Sequence, residues 1–157
     1  SSKESGTTMR YCEAHTGRVF ILRLEHGEVV HATIERFAGD HGIRGAIAMI
    51  VGGADRGSRL VVGPEDGDAR PVKPMEFTLP AAHEITGVGT LFPDDTGKPM
   101  LHLHAALGRG DRAIAGCIRN GVVVWQVLEV VLLELTGASA SRRPDPALGF
   151  KLLDPNP

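Results

Sequence analysis

The sequence has few aromatic residues, and this scarcity argues against one class of nucleic-acid-binding protein. Aromatic residues make up 4% of the 157 residues, with one Trp and one Tyr. Proteins that hold single-stranded nucleic acid without sequence preference stack successive bases on aromatic side chains. Because the chain has few such side chains, we do not expect it to bind single-stranded nucleic acid by stacking.

The chain also lacks an excess of positive charge. Its 17 Lys and Arg residues are outnumbered by 19 Asp and Glu residues, which gives a formal net charge of -2. A domain that binds duplex DNA through its phosphates usually carries a basic excess on one face. The basic residues are spread from Arg10 to Arg143, so any basic patch must be assembled by the fold or by an oligomer.

Cysteine is rare, with Cys12 and Cys117 as the two examples. Such a sparse pair in a chain of this length does not resemble the disulfide framework of a small secreted domain. Residues 1–10 form a polar leader without the charged-then-apolar pattern of a signal peptide. We therefore expect reduced thiols, a cytoplasmic location and a single domain over residues 11–157.

Long uninterrupted apolar runs are also missing. The longest apolar stretch, residues 122–135, is broken by Gln126, Glu129 and Glu134, so it predicts no membrane span. It does predict a strand that is apolar on both faces. Because both faces of such a strand must be covered and the sequence offers one clear helix, we expect a subunit interface on one of them.

The remaining pattern favours strands over helices. Val30, Ile34 and Phe37 are spaced as on one helix face and predict a helix over residues 28–37. Runs rich in β-branched residues, bounded by Gly, Pro and Asp, predict the other elements. Strands are expected at residues 18–24, 43–51, 58–62, 84–92, 99–107, 112–118 and 122–135, an exposed loop at 63–73, and an irregular tail at 137–157.

A His-x-His pair on a predicted strand is the strongest candidate for chemistry. His102 and His104 are two residues apart, so in a strand they point to the same face. The Gly and Asp residues at 108–111 predict a hairpin turn. A loop of Arg109 and Gly110 places Cys117 opposite His102, whereas a loop centred one residue later places it opposite His104. Either loop puts the thiol on the histidine face.

Two imidazoles and a thiolate form a ligand set that suits zinc or a similar divalent transition metal. Three protein ligands leave a fourth position for water or substrate, as in catalytic zinc sites. We therefore predict a metal site at His102, His104 and Cys117. A packed polar cluster without a metal is the alternative interpretation of the same residues.

Several segments resemble the PPC family, the plants and prokaryotes conserved domain. The similarity covers most of the chain and is carried by ordered motifs. The most specific of them is Gly97-Lys-Pro-Met-Leu-His-Leu-His104, which is similar to the Gly-x-Pro-x-x-His-x-His motif of the family. The others are residues 18–24 with Gly27-Glu28, the strand from Glu84 to Leu91, and the closing segment at 143–152.

The resemblance implies an α+β fold in which one principal helix packs on a mainly antiparallel sheet, assembled as a homotrimer. It also implies a DNA-binding or transcription-associated role. Prokaryotic relatives usually carry Gly-Gly-His where this chain has Ala115-Gly116-Cys117, so a thiolate replaces the third imidazole. The Arg-Gly-Arg-Pro AT-hook of the plant proteins is absent, because residues 141–144 read Ser-Arg-Arg-Pro.

Two other functions stay open on the sequence. In a metal-dependent enzyme or small-molecule binder, a metal-bound water would react, with Glu84 as the candidate general base suggested by the family match. In a purely structural trimer, the histidines would be packed polar residues. The sequence names no substrate and no DNA-contacting residue.

Overall fold

A computed structural model describes residues 8–157 as a sheet with one helix. The elements are β1 (His15–Glu25), α1 (Val30–Asp40), β2 (Ala46–Ala54), β3 (Arg59–Pro64), β4 (Pro74–Thr78), β5 (His83–Pro93), β6 (Pro99–Arg109), β7 (Arg112–Cys117), β8 (Val124–Thr136), β9 (Ser141–Asp145) and β10 (Phe150–Asp154). Within residues 8–157 no helix has the length and apolar character needed to cross a membrane.

Eight strands form the main sheet in the order β1-β8-β2-β5-β6-β7-β3-β4. All their pairings are antiparallel. Strands β9 and β10 form a separate two-stranded hairpin, which we call the C-terminal hairpin. The predicted α+β fold with a mainly antiparallel sheet and one principal helix is confirmed.

Helix α1 covers the inner face of the sheet. Its buried residues are Val30, Ile34 and Ala38, at the i, i+4, i+8 spacing of one helix face. The helix ends at Asp40, three residues later than predicted, because the buried stripe continues to Ala38. Gly42 has a φ of 64° and supplies the left-handed residue that stops the helix, and the Ile43 N–H donates to the Ala38 carbonyl at 2.9 Å.

Alternate residues of the central strands point inward and form the core. Leu101, Leu103, Ala105 and Leu107 of β6 are buried, while His102, His104 and Ala106 between them are exposed. On strand β8, alternate residues are likewise buried: Leu128, Val130 and Leu132. They belong to the same hydrophobic cluster as the buried residues of β6. The period of two along each strand thus separates a packed inner face from an outer face.

The outer face carries a row of side chains that links the apolar surface to the predicted site. The row of register partners crosses six neighbouring strands and consists of Ile21, Val131, Met49, Val88, His104 and Cys117. Ile21, Met49 and Val88 are exposed. The inward side of β8 packs into the same core cluster as the buried residues of α1. The subunit interface expected on its other face stays a prediction.

Three parts of the predicted secondary structure differ from the structure. The tail at 137–157, expected to be irregular, contains the C-terminal hairpin. Strand β4 was not predicted, because it is short and begins at a proline, and prolines are depleted in strands. The predicted loop at 63–73 is shorter, since β3 continues to Pro64. In the predicted leader, residues 8–10 have no regular structure and residues 1–7 lie outside the described part of the chain.

Candidate metal centre

The turn between β6 and β7 decides which histidine faces Cys117. Arg109 pairs with Arg112, so the loop consists of Gly110 and Asp111, and Cys117 pairs with His104. Gly110 has a φ of 63°, as the first central residue of a type II′ turn requires. Of the two loops left open by the sequence, the structure has the one centred on Gly110 and Asp111.

The structure brings the three predicted ligands together. The nearest ligand atoms of His102, His104 and Cys117 all lie within 4.8 Å of one another. The two histidine Nε2 atoms are 3.1 Å apart, and the rings are nearly perpendicular at 82°. Around a tetrahedral zinc, ligand atoms are separated by roughly 3.3 to 3.7 Å, as follows from zinc–ligand bonds of about 2.0 to 2.3 Å. Small side-chain rotations would therefore complete such a site.

The local electrostatics favour the neutral form of His102. Protein atoms packed around its ring remove part of its hydration, although the residue is exposed on the sheet face, and this desolvation lowers its pKa. The charges of His104, Arg142 and Arg119 lower the pKa further. A neutral imidazole has a free lone pair, which is the form that binds a metal.

A cavity of about 550 Å³ opens beside the three ligands. Its walls come from β3, β6, β7 and the C-terminal hairpin. The lining residues include His102, His104 and Cys117 on the sheet, apolar side chains such as Val61 and Met100, and Phe150, Leu152 and Leu153 on β10. A fourth ligand of a metal at this site could reach it from the cavity.

Glu84 is not part of this site. It lies on β5 and pairs with Gly108 of β6, whereas His104 pairs with Val88 of β5. Four residues along a strand correspond to about 13 Å, and Glu84 does not line the cavity. The position of Glu84 gives no support to its predicted role as a general base at the metal.

Arg119 connects the site to the helix. Its guanidinium forms an ion pair with Glu35 of α1, with Nη1 2.8 Å from Oε1, and also donates to the carbonyl of Leu101, the residue before His102. Burial raises the pKa of Glu35, and the positive charge of Arg119 opposes that rise. Through these two contacts, Arg119 holds the residues that follow Cys117 next to helix α1 and next to Leu101, which precedes His102.

Arg142 is a site residue that the sequence did not indicate. It retains 3% of its exposure and lines the cavity. Its Nη2 donates to the Thr90 carbonyl at 2.8 Å and to the Thr90 hydroxyl at 2.9 Å, and its Nε donates to the Met100 carbonyl at 3.2 Å. Because Thr90 is the register partner of His102, these bonds place the guanidinium next to the histidine pair.

Comparison with known families identifies the fold. The family model of the Plants and Prokaryotes Conserved domain matches residues 11–136, which include all three candidate ligands. This chain belongs to that family, the PPC family. The matched part of the PPC chain ends before the C-terminal hairpin, so Arg142 and the β10 side chains of the cavity lie outside it.

Solved structures resemble this PPC chain over nearly its whole length. A metal-containing protein from Archaeoglobus fulgidus is 26% identical, with a TM-score of 0.79 over 92% of this chain and 98% of that one. A PPC protein from Pyrococcus horikoshii is 24% identical, with a TM-score of 0.77 over 92% and 97%. A candidate DNA-binding protein from Bacteroides thetaiotaomicron is 19% identical, with a TM-score of 0.70 over 92% and 99%. The last two likenesses show the fold alone.

A curated relative places a similar segment within a much longer protein. The bifunctional protein GlmU of a Synechococcus strain is 28% identical over 135 residues. This alignment covers 85% of the PPC chain but spans only 20% of the relative's length.

Proposed function

We propose that this PPC chain is a homotrimeric binding protein that holds a divalent transition metal, zinc in the first place, through His102, His104 and Cys117. The observation that carries the proposal is the convergence of their ligand atoms within 4.8 Å. Two neutral imidazoles and a thiolate are the ligand types that zinc prefers. The similar protein from Archaeoglobus fulgidus, described as metal-containing, gives further support.

The proposed trimer rests on the apolar outer face. Val19, Ile21, Met49, Val51 and Val88 are exposed on neighbouring strands of this face. A contiguous apolar surface of this kind is typical of a protein interface. A second copy of the same chain is the proposed partner, and burial of this face would give β8 the second cover that its sequence requires.

DNA or a transcriptional partner is the proposed target of the trimer. Support comes from the candidate DNA-binding protein of Bacteroides thetaiotaomicron, which shares the fold. With a net charge of -2, the chain would depend on local Arg residues for phosphate contacts. We expect binding to mixed-sequence duplex DNA that weakens steeply between low and physiological salt, measured by gel shift. Absence of a shift at low salt would remove DNA as the target.

A metal-dependent enzyme is the second candidate, favoured by the cavity beside the three ligands. A bound zinc would supply a Lewis acid at the cavity wall and lower the pKa of its water. Among residues 8–157, those that line the cavity include no Asp or Glu. Since a base to accept the proton of that water is missing from these walls, the binding protein is the preferred proposal.

Metal content tests the site directly. We expect protein purified without chelator or nickel resin to contain up to one zinc per chain, measured by elemental analysis. His104→Ala and Cys117→Ala should each lose this zinc, because two remaining ligands seldom retain the ion. Both side chains lie outside the hydrophobic core, so far-ultraviolet circular dichroism should remain unchanged.

Cys12→Ala is the matched control, because Cys12 is also a free, half-buried cysteine but is not a member of the ligand group. It should retain the full zinc content. A wild-type protein that takes up no zinc after supplementation, or a Cys117→Ala variant that retains it, would contradict the proposed site.

A further inference from the structure

The cavity beside the proposed metal contains a buried positive charge that no carboxylate of residues 8–157 contacts directly, although the more distant Glu35 attracts it. Arg142 is almost fully buried, and its hydrogen bonds go to two backbone carbonyls and one hydroxyl. Within residues 8–157, no Asp or Glu forms an ion pair with it, and its Nη1 has no hydrogen-bond partner. Burying an unpaired charge is costly, so buried guanidinium groups are normally paired with an anion.

The other cations of the cavity differ from Arg142 in this respect. Arg119 is paired with Glu35 at 2.8 Å. Lys151 contacts Asp94 at 3.0 Å and Asp95 at 2.8 Å. A zinc with one thiolate ligand would retain a net positive charge next to Arg142. Arg142 therefore differs from Arg119 and Lys151 in having no carboxylate in direct contact, with or without the metal.

Apart from Asn120, the remaining walls of the cavity are apolar. Val61, Met100, Phe150, Leu152 and Leu153 line it, and its volume of about 550 Å³ is in the usual range of small-molecule sites, about 300 to 1,000 Å³. A guanidinium pairs well with a carboxylate, whereas a phosphate presents three strong acceptor oxygens, which the single free donor of Arg142 would not satisfy. Charge and shape together point to an acid with an apolar body.

We propose that the cavity binds a small organic carboxylic acid. Its carboxylate pairs with Arg142 beside His102, and its apolar body packs against Phe150, Leu152 and Leu153. The pairing of the carboxylate with Arg142 does not require a metal. The inference rests on the proposed metal site only for one additional contact, between the carboxylate and the ion. The C-terminal hairpin, which lies outside the family match, then provides the ligand selectivity of this chain.

Calorimetry with hexanoate and hexanamide tests the charge requirement. The two probes share one apolar chain and differ in charge. We expect hexanoate to bind the chelator-treated full chain about tenfold more tightly than hexanamide, through its charge-assisted pairing, and more tightly still after zinc loading. Equal affinities, or no binding of either probe, would overturn the proposal. Tighter binding of inorganic phosphate than of hexanoate would overturn the assignment to a carboxylic acid.

Substitution of Leu152 tests the location without removing the buried Arg142. Leu152→Glu places a carboxylate of the protein itself in the cavity, and it should weaken hexanoate binding at least about tenfold by competing for the same guanidinium. Leu152→Gln, of similar size and neutral, should retain the preference for hexanoate over hexanamide. An equal loss in both variants would show that the acid does not depend on Arg142.

The two proposals fail in different ways. Zinc uptake without a preference for hexanoate would leave the metal site standing and refute the acid site. A preference for hexanoate in a protein that takes up no zinc would support the acid site and refute the metal site.

Discussion

The two faces of the main sheet are built from the same strands, yet they differ in what covers them. On the inner face, Leu103 of β6 and Leu132 of β8 are buried with at most 1% of their surface exposed. On the outer face, Ile21 of β1 is 85% exposed and Val88 of β5 is 59% exposed. Apolar character alone therefore does not show whether a strand face is packed within its own chain.

The difference shows how two functions share one sheet. The inner face is held by α1 and stabilises the chain. The outer face carries apolar residues at the β1 side and the His102, His104 and Cys117 cluster at the β7 side, within a continuous cross-strand row. Substitutions on the two faces should consequently have separable effects on stability, assembly and binding.

The largest effect is expected on the inner face. Leu103→Ala removes a large, fully buried side chain, and should lower the free energy of unfolding by about 2 to 5 kcal/mol, measured by urea denaturation. Thr78→Ala, at an exposed outer-face position of β4 away from the proposed apolar interface, is the control and should change this free energy by less than about 0.5 kcal/mol. Similar losses in the two variants would contradict the difference between the faces.

A smaller, pH-dependent effect is expected from Glu134, the one acidic residue buried on the inward side of β8 in the described chain. Hydrogen bonds from the Arg18 side chain and backbone lower the pKa of Glu134 from 4.5 to about 2. Because the folded-state pKa is lowered, the stabilisation is present above pH 4.5 and is lost as the pH falls from 4.5 towards 2.

Urea denaturation at pH 6 and at pH 3 measures this contribution. We expect Glu134→Gln to be less stable than the wild type at pH 6 and closer to it at pH 3. Glu76→Gln, at an exposed ion pair with Arg59 on strand β4, is the control and should change the free energy of unfolding by less than about 1 kcal/mol. A constant difference between Glu134→Gln and the wild type would argue against the lowered pKa.

The smallest effect on the stability of a single chain is expected from Met49→Lys on the outer face, although its effect on assembly should be large. Light scattering of the wild type should give about three times the 16.7 kDa chain mass, and the variant should fall towards one chain. Met9→Lys introduces the same charge at an exposed residue outside the strands and should leave the mass unchanged. A wild-type protein that is monomeric at micromolar concentration would remove the proposed interface.

The convergence of His102, His104 and Cys117 on the sheet was predictable because it depends on local rules. The alternation of side chains along a strand places His102 and His104 on one face, and any two-residue turn brings Cys117 to that face. The exact partner of Cys117 was not predictable, since Gly110 can occupy either central position of a two-residue turn. Glu84 lies away from the cluster because the register between β5 and β6 pairs it with Gly108 and not with a histidine. Strand register cannot be read from a single sequence.

The hairpin half of the cavity could not be predicted. Pro144 lies within β9 and prolines are depleted in strands, so residues 137–157 resembled an irregular tail. Arg142 appeared as an ordinary surface residue, because Arg is seldom buried. Its burial comes from contacts with Thr90 and Met100, which are 52 and 42 residues away in the chain and carry no shared motif.

The turn at Gly110 and Asp111 has a consequence for the way the gene can change. Side chains alternate along β7, so inserting or deleting a single codon in this turn, without a compensating bulge, reverses the face to which every residue of β7 points. Cys117 would then turn towards the core, and its place beside His104 would go to Gly116 after an insertion or to Ile118 after a deletion. The ligand group would lose its sulfur although no ligand residue had been mutated. Single-codon length changes at these two positions should therefore be rarer among functional descendants of this gene than amino-acid replacements at them.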